Sequence, residues 1–198
     1  MSFMIKYWCC IGIMWIAQIG LAQDLTYVIQ SINPALYINN MDNQPVYHQS
    51  IMSSNSLVFT RLYGHNQTEQ KEQSYHYCFL NEKHQNWVLE IRLDQHDFHV
   101  SDGHEMQAVR SSDFGIQVYQ LQGEEWKEVT QQVLPEDFKK IFQAQFPDLQ
   151  PSSWGYYYYN QNPELVIQPT LKKKVLHFEQ NGKRVLCLAW RRRHFVWK

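Results

Sequence analysis

The run His96-Asp97-Phe98-His99-Val100-Ser101-Asp102-Gly103-His104-Glu105 places three imidazoles and three carboxylates within ten residues. Nitrogen and oxygen donors at this density suit the four-coordinate shell of zinc. His96, Asp97, His99, Asp102 and His104 are therefore candidate metal ligands, and the chemistry they would support is metal-dependent hydrolysis. On a strand, Asp97 and His99 share one face. The spacing matches neither a helical His-Glu-x-x-His site nor a Cys/His finger. Histidines also recur at 48, 65, 76 and 84, and Asp102-Gly103 reads as a turn. An exposed loop or strand end is the simpler expectation, and no cofactor is expected.

Two cysteines, Cys78 and Cys187, lie beyond the first 22 residues. A cysteine nucleophile needs a base within hydrogen-bond reach. Asn181-Gly182 is the signature of a two-residue hairpin turn. Simple counting from it pairs Gln180 with Lys183, Phe178 with Val185 and Leu176 with Cys187, which sends His177 to the opposite face from Cys187. His76 shares a face with Cys78, but residues two apart on a strand stand about 6.5–7 Å apart. The expectation is instead a Cys78–Cys187 disulfide in an oxidising compartment. It would close a loop of about 110 residues, worth about 4–5 kcal/mol in the chain-entropy account.

Two further clusters are candidate binding surfaces. Trp154, Tyr156, Tyr157, Tyr158 and Tyr159 could present rings to a sugar or peptide, since amphipathic rings give contact area at low entropic cost. If extended, Tyr156 and Tyr158 face one way and Tyr157 and Tyr159 the other, so one pair is expected in the core. Arg191, Arg192 and Arg193, flanked by Trp190 and Trp197, could meet anionic lipid or a cell-wall polymer. The simpler reading is a solvated edge whose charges block sheet-to-sheet association. No serine sits in a Gly-x-Ser-x-Gly elbow, and no glycine-rich loop could cradle a phosphate.

The elements that must position these residues are mostly strands. Val, Ile and Tyr recur in short runs separated by polar linkers, a pattern that suits pleated, half-buried surfaces. Candidate strands are Leu25–Gln30, Val46–Gln49, Leu57–Tyr63, Tyr75–Leu80, Trp87–Leu93, Phe98–Val100, Met106–Val109 and Gly115–Leu121, then the hairpin Lys173–Gln180/Lys183–Trp190. The polar stretch Gly64–Ser74, with the sequon Asn66-Gln67-Thr68, reads as a mobile loop. One amphipathic helix is expected over 135–146, with Leu134, Phe138, Ile141 and Phe142 as its apolar stripe. Pro135 and the acidic Glu136-Asp137 mark its start. The fold class is α+β, β-rich: antiparallel sheet with one helix packed on a face and a C-terminal β-hairpin.

Residues 1–22 read as an export signal. Lys6 supplies the charged start, an apolar run follows from Tyr7 to Ile16, and Gly20 and Ala22 form a small-residue exit. Residues 24–198 are then a single exported domain, periplasmic or secreted, without a transmembrane span after cleavage. The net charge of −1 is unevenly spread. Residues 24–171 carry 8 Lys+Arg against 18 Asp+Glu, and residues 172–198 carry 9 against 1. The basic end is expected to fold back onto the acidic body.

The segment Trp126-Lys-Glu-Val129-Thr130…Leu134-Pro135, with Leu188-Ala-Trp190…Phe195-Val196 later, resembles uncharacterised bacterial secreted β-rich proteins. That resemblance implies an exported α+β domain and carries no activity. The sequence thus points to a non-enzymatic module that binds a protein or envelope polymer and not nucleic acid. The alternative is a hydrolase using the His96–His104 cluster.

Overall fold

The computed structural model describes residues 24–37, 47–53, 55–66, 69–81, 85–101, 106–153, 155–160, 162 and 165–198. Residues 1–22, expected to be an export signal, and Gln67, Thr68, Asp102, His104 and Trp154 lie outside that set. The chain begins with helix α1 (Leu25–Ile32) and a 3₁₀ turn (Pro34–Tyr37). Strands β1 (His48–Ser53), β2 (Ser56–Asn66), β3 (Glu69–Phe79), β4 (Trp87–Ser101), β5 (Met106–Gln122) and β6 (Glu125–Glu128) follow. Then come α2 (Thr130–Val133), α3 (Phe138–Gln145), β7 (Leu149–Pro151) and β8 (Tyr157–Asn160). The chain closes with β9 (Ile167–Lys172), β10 (Val175–Gln180), β11 (Lys183–Arg191) and β12 (His194–Trp197). Eight strands form a large antiparallel sheet in the order β1-β2-β3-β4-β5-β8-β7, with β6 also on β5. The other four form a small sheet, β12-β11-β10-β9. The architecture is α+β and β-rich, as expected, although three α-helices are present among the described residues rather than one.

Strand alternation divides the large sheet into two faces. One carries Leu89, Ile91, Phe114, Ile116 and Val118, and it packs against the small sheet and α3. Phe142 is the hub, with ring centroids 4.8 Å from Tyr158, 4.8 Å from Phe146 and 5.0 Å from Phe178. Phe138 and Phe142 are buried as the helical stripe requires, while Ile141 is half-buried. Ser112 is fully buried at the seam between the sheets. Its hydroxyl accepts from the backbone N–H of Ile167 at 3.1 Å and lies 3.2 Å from the Ile167 carbonyl.

The second face carries Leu57, Phe59, Tyr75, Tyr77 and Val88, and α1 lies across it. That segment is a helix, not the strand its β-branched residues suggest. Leu25, Val28 and Ile29 recur at helical spacing and are buried, and Asp24 caps the start by accepting from the Thr26 N–H at 2.9 Å. Tertiary burial of an apolar stripe outweighs the modest propensity cost of Val and Ile.

Three other expectations change. Residues 64–74 are mostly strand, the distal half of a long β2–β3 arm. Phe98–Val100 and Met106–Val109 are the ends of the long strands β4 and β5. The third concerns the C-terminal hairpin, whose Asn181-Gly182 turn forms as expected, both residues with positive φ. A β-bulge interrupts the register between Phe178 and Glu179, so Phe178 pairs with Leu186 and His177 pairs with Cys187. An inserted residue flips every later side chain to the other face.

Candidate functional site

On the second face of the large sheet, beside α1, a cleft of about 400 Å3 opens between β4, β5 and the approach to β8. Its polar floor comes from alternate positions of β4: Glu90, Arg92 and Asp94 point the same way because strand side chains repeat every second residue. Glu90 and Arg92 line the cleft itself, and Tyr156, Tyr157 and Tyr159 wall it, with Gln117 and Ser152 as further polar groups.

Asp94 is 4% exposed and organises the floor. Arg92 donates to its Oδ2 through Nε at 2.9 Å and Nη2 at 2.8 Å. The Tyr157 hydroxyl donates to the same oxygen at 2.5 Å. The Gln73 amide donates to Oδ1 at 2.6 Å, and the Tyr47 hydroxyl donates to Gln73 at 2.5 Å. The Arg92 guanidinium also lies between two rings, 5.0 Å from the Tyr157 centroid and 5.6 Å from that of Tyr75. A buried carboxylate is tolerable when it is paired and hydrogen-bonded, and both oxygens of Asp94 accept here.

Glu90 is 5% exposed and lies beside the phenols of Tyr77 and Tyr119, the second of which donates to Gln117 Oε1 at 2.8 Å. Burial pushes its carboxyl above the usual carboxylate range, against the opposing pull of those two phenols and of Arg92. Burial likewise pushes the phenols of Tyr75, Tyr77, Tyr119 and Tyr157 up. They therefore remain neutral hydrogen-bonding groups at physiological pH.

Gly115 permits this arrangement. It pairs with Tyr157 across β5 and β8, and a β-carbon there would stand 2.8 Å from Tyr157 Cδ2. Only a bare backbone lets the ring lie flat against β5 and reach Asp94.

The aromatic run behaves partly as its alternation predicts. Tyr158 is buried in the core on the first face, while Tyr157 and Tyr159 point to the cleft face with centroids 5.1 Å apart. Tyr156 reaches both environments, lining the cleft and packing 5.9 Å from Phe138. Glu90, Arg92 and Asp94 escape sequence reading. Alternating charges on a strand ordinarily mark a solvent face, and nothing local signals that this face is covered.

Of the candidate metal ligands, Asp102 and His104 and the side chains of His96, Asp97 and His99 lie outside the described residues. His96, Asp97 and His99 fall in the distal part of β4, paired with Ser111, Arg110 and Ala108. Among the described residues no group of three or more His, Cys, Asp or Glu side chains could hold a metal. Arg191 ends β11, and Arg192-Arg193 form the turn into β12. The three arginines are exposed, while the basic segment's strands β10–β12 pack on the large sheet.

The expected disulfide is absent: Cys78 and Cys187 are free thiols. Cys78 faces the inter-sheet core, where burial pushes its thiol up to about 12. Cys187 pairs with His177 on the outer side of the small sheet, its sulfur 3.2 Å from His177 Nδ1. The chain matches no protein-family model, no curated protein and no solved structure.

Proposed function

We propose that this protein is an exported, non-enzymatic binding module whose cleft takes a neutral, polyhydroxylated ring, such as a saccharide unit of an envelope polymer. The cleft carries the reading. Three tyrosine rings offer flat apolar faces, while Glu90, Arg92, Gln117 and Ser152 supply donors and acceptors at its floor and rim. Asp94 neutralises Arg92, and burial favours the protonated Glu90. A charge-balanced floor favours a neutral ligand over an ionic one. Export rests on the leader-like composition of residues 1–22.

Hydrolysis of such a ligand is disfavoured by geometry. Glycoside hydrolysis uses two carboxyl groups about 5–9.5 Å apart. Glu90 and Asp94 are four residues apart on one strand, about 13 Å, and Asp94 is already bound to three side chains. Glu128 is also engaged, accepting from the Thr130 N–H at 2.7 Å.

The test is co-sedimentation with insoluble peptidoglycan and with chitin. The expected result is retention on at least one of them that survives about 0.5 M salt, where exposed ionic contacts are screened. Tyr159→Ala, at an exposed ring, should weaken it about tenfold without lowering the melting temperature. Failure to bind either glycan, or binding that salt abolishes, overturns the proposal.

A further inference from the structure

Two hairpin turns lie at the same end of the small sheet, and both are made of basic residues. Lys173-Lys174 joins β9 to β10, and Arg192-Arg193 joins β11 to β12. The turn at the opposite end, between β10 and β11, is Asn181-Gly182. All three turns need left-handed backbone: φ is 49° and 63° at the lysines, 47° and 75° at the arginines, and 49° and 75° at Asn181 and Gly182. Asn and Gly adopt this conformation readily, whereas Lys and Arg do so with strain. One sheet thus contains the relaxed solution at one end and a strained one, used twice, at the other. What the strained turns retain is positive charge.

That charge surrounds a hollow of about 370 Å3. Lys174, Arg192 and Arg193 line it together with Asn81, Trp87 and Trp190. The Trp190 N–H donates to the Lys174 carbonyl at 2.8 Å and ties the β9–β10 turn to β11. The Trp190 ring is held 5.3 Å from Trp87 and 5.0 Å from Phe195. Lys172 and Arg191 flank the turns. Among the described residues none of these six cations has an acidic side-chain partner.

We propose that this end of the small sheet is a binding site for a phosphate-bearing anion, either a compact diphosphate group or a phospholipid headgroup. Guanidinium forks match the oxygens of phosphate, and an ammonium adds a mobile point charge. Three cations around one hollow suit a group with more than one negative charge better than a single carboxylate. The site is distinct from the tyrosine cleft and does not depend on it.

The experiment measures inorganic pyrophosphate binding by calorimetry, and co-sedimentation with vesicles of phosphatidylglycerol in phosphatidylcholine. Two double variants, Lys173→Asn with Lys174→Gly and Arg192→Asn with Arg193→Gly, install the pair the third turn already uses. Each should raise the melting temperature by about 4 °C through relief of strain, yet weaken binding about tenfold or more. The parent should bind at least one probe at about 0.05 M salt and lose it as salt rises. Binding to vesicles alone assigns the headgroup as the source; binding to both assigns the phosphate itself. Absence of binding to either probe, or double variants that bind like the parent, overturns the proposal. If a double variant is less stable than the parent, the single exposed change Arg193→Glu carries the same expected loss of binding.

Discussion

Glu90 is held where water scarcely reaches it, and its chemistry follows from that. Burial raises its carboxyl above the unfolded value, while Tyr77, Tyr119 and Arg92 pull the other way. The folded state therefore holds the proton more readily than the unfolded chain. The stability this confers is present below the unfolded value of about 4.3 and is lost as pH rises through the folded one. Glu90→Gln keeps a polar side chain of the same shape beside both phenols and removes that loss. The variant should match the parent near pH 4 and exceed it increasingly toward pH 7, by more than about 2 °C in melting temperature. A difference independent of pH, measured by thermal unfolding across that range, would contradict the assignment.

At the scale of elements, a single inserted residue in β11 changes which groups meet. Without the bulge, Cys187 would face Leu176, and His177 would lie on the other side of the hairpin. With it, His177 Nδ1 sits 3.2 Å from the Cys187 sulfur. Burial first, and Arg184 next, lower the imidazole's affinity for protons, so it is neutral above pH 7 and stands within hydrogen-bond reach of the sulfur. Cys78 meets no imidazole at that distance among the described residues; its thiol faces the Leu89 carbonyl, and burial holds it protonated. Iodoacetamide at about pH 8 should therefore label Cys187 about tenfold faster than Cys78, with His177→Ala narrowing the gap. Peptide mass mapping reads both rates, and equal rates would refute the register argument. The bulge was not legible in the sequence, because Asn181-Gly182 sets the turn while the strand beyond it remains free to slip. The turn itself was legible, as was α3, whose Phe138 and Phe142 stand one helical turn apart. Helix α1 carried a readable signal in Asp24 and the Leu25, Val28 and Ile29 spacing, but the β-branched residues obscured it.

Over the whole molecule, the two sheets join through packed rings and aliphatic side chains. Within that seam, the Ser112 hydroxyl bridges β5 to both backbone groups of Ile167. Ser112→Ala would strand a buried N–H, at a cost of about 1–3 kcal/mol. For a chain of this length that is a fall of about 2–10 °C in melting temperature, and an unchanged melting curve would show that the seam does not need the bond. The charge asymmetry also belongs to this scale. The basic C-terminal segment packs its strands on the acidic body, and its basic turns gather at one end of the small sheet, at a strain of roughly 1 kcal/mol per left-handed residue.

Sequence by itself determined the strand-rich class, the Asn181-Gly182 turn, the amphipathic helix and the separation of charge, because each depends on neighbours within a few residues along the chain. Tertiary structure decided that the Glu90–Asp94 face is covered, that Tyr157 rests on Gly115, that His177 meets Cys187, and that two basic turns share one hollow. Those outcomes depend on which surfaces exclude water from which others, and burial is a property of two elements together.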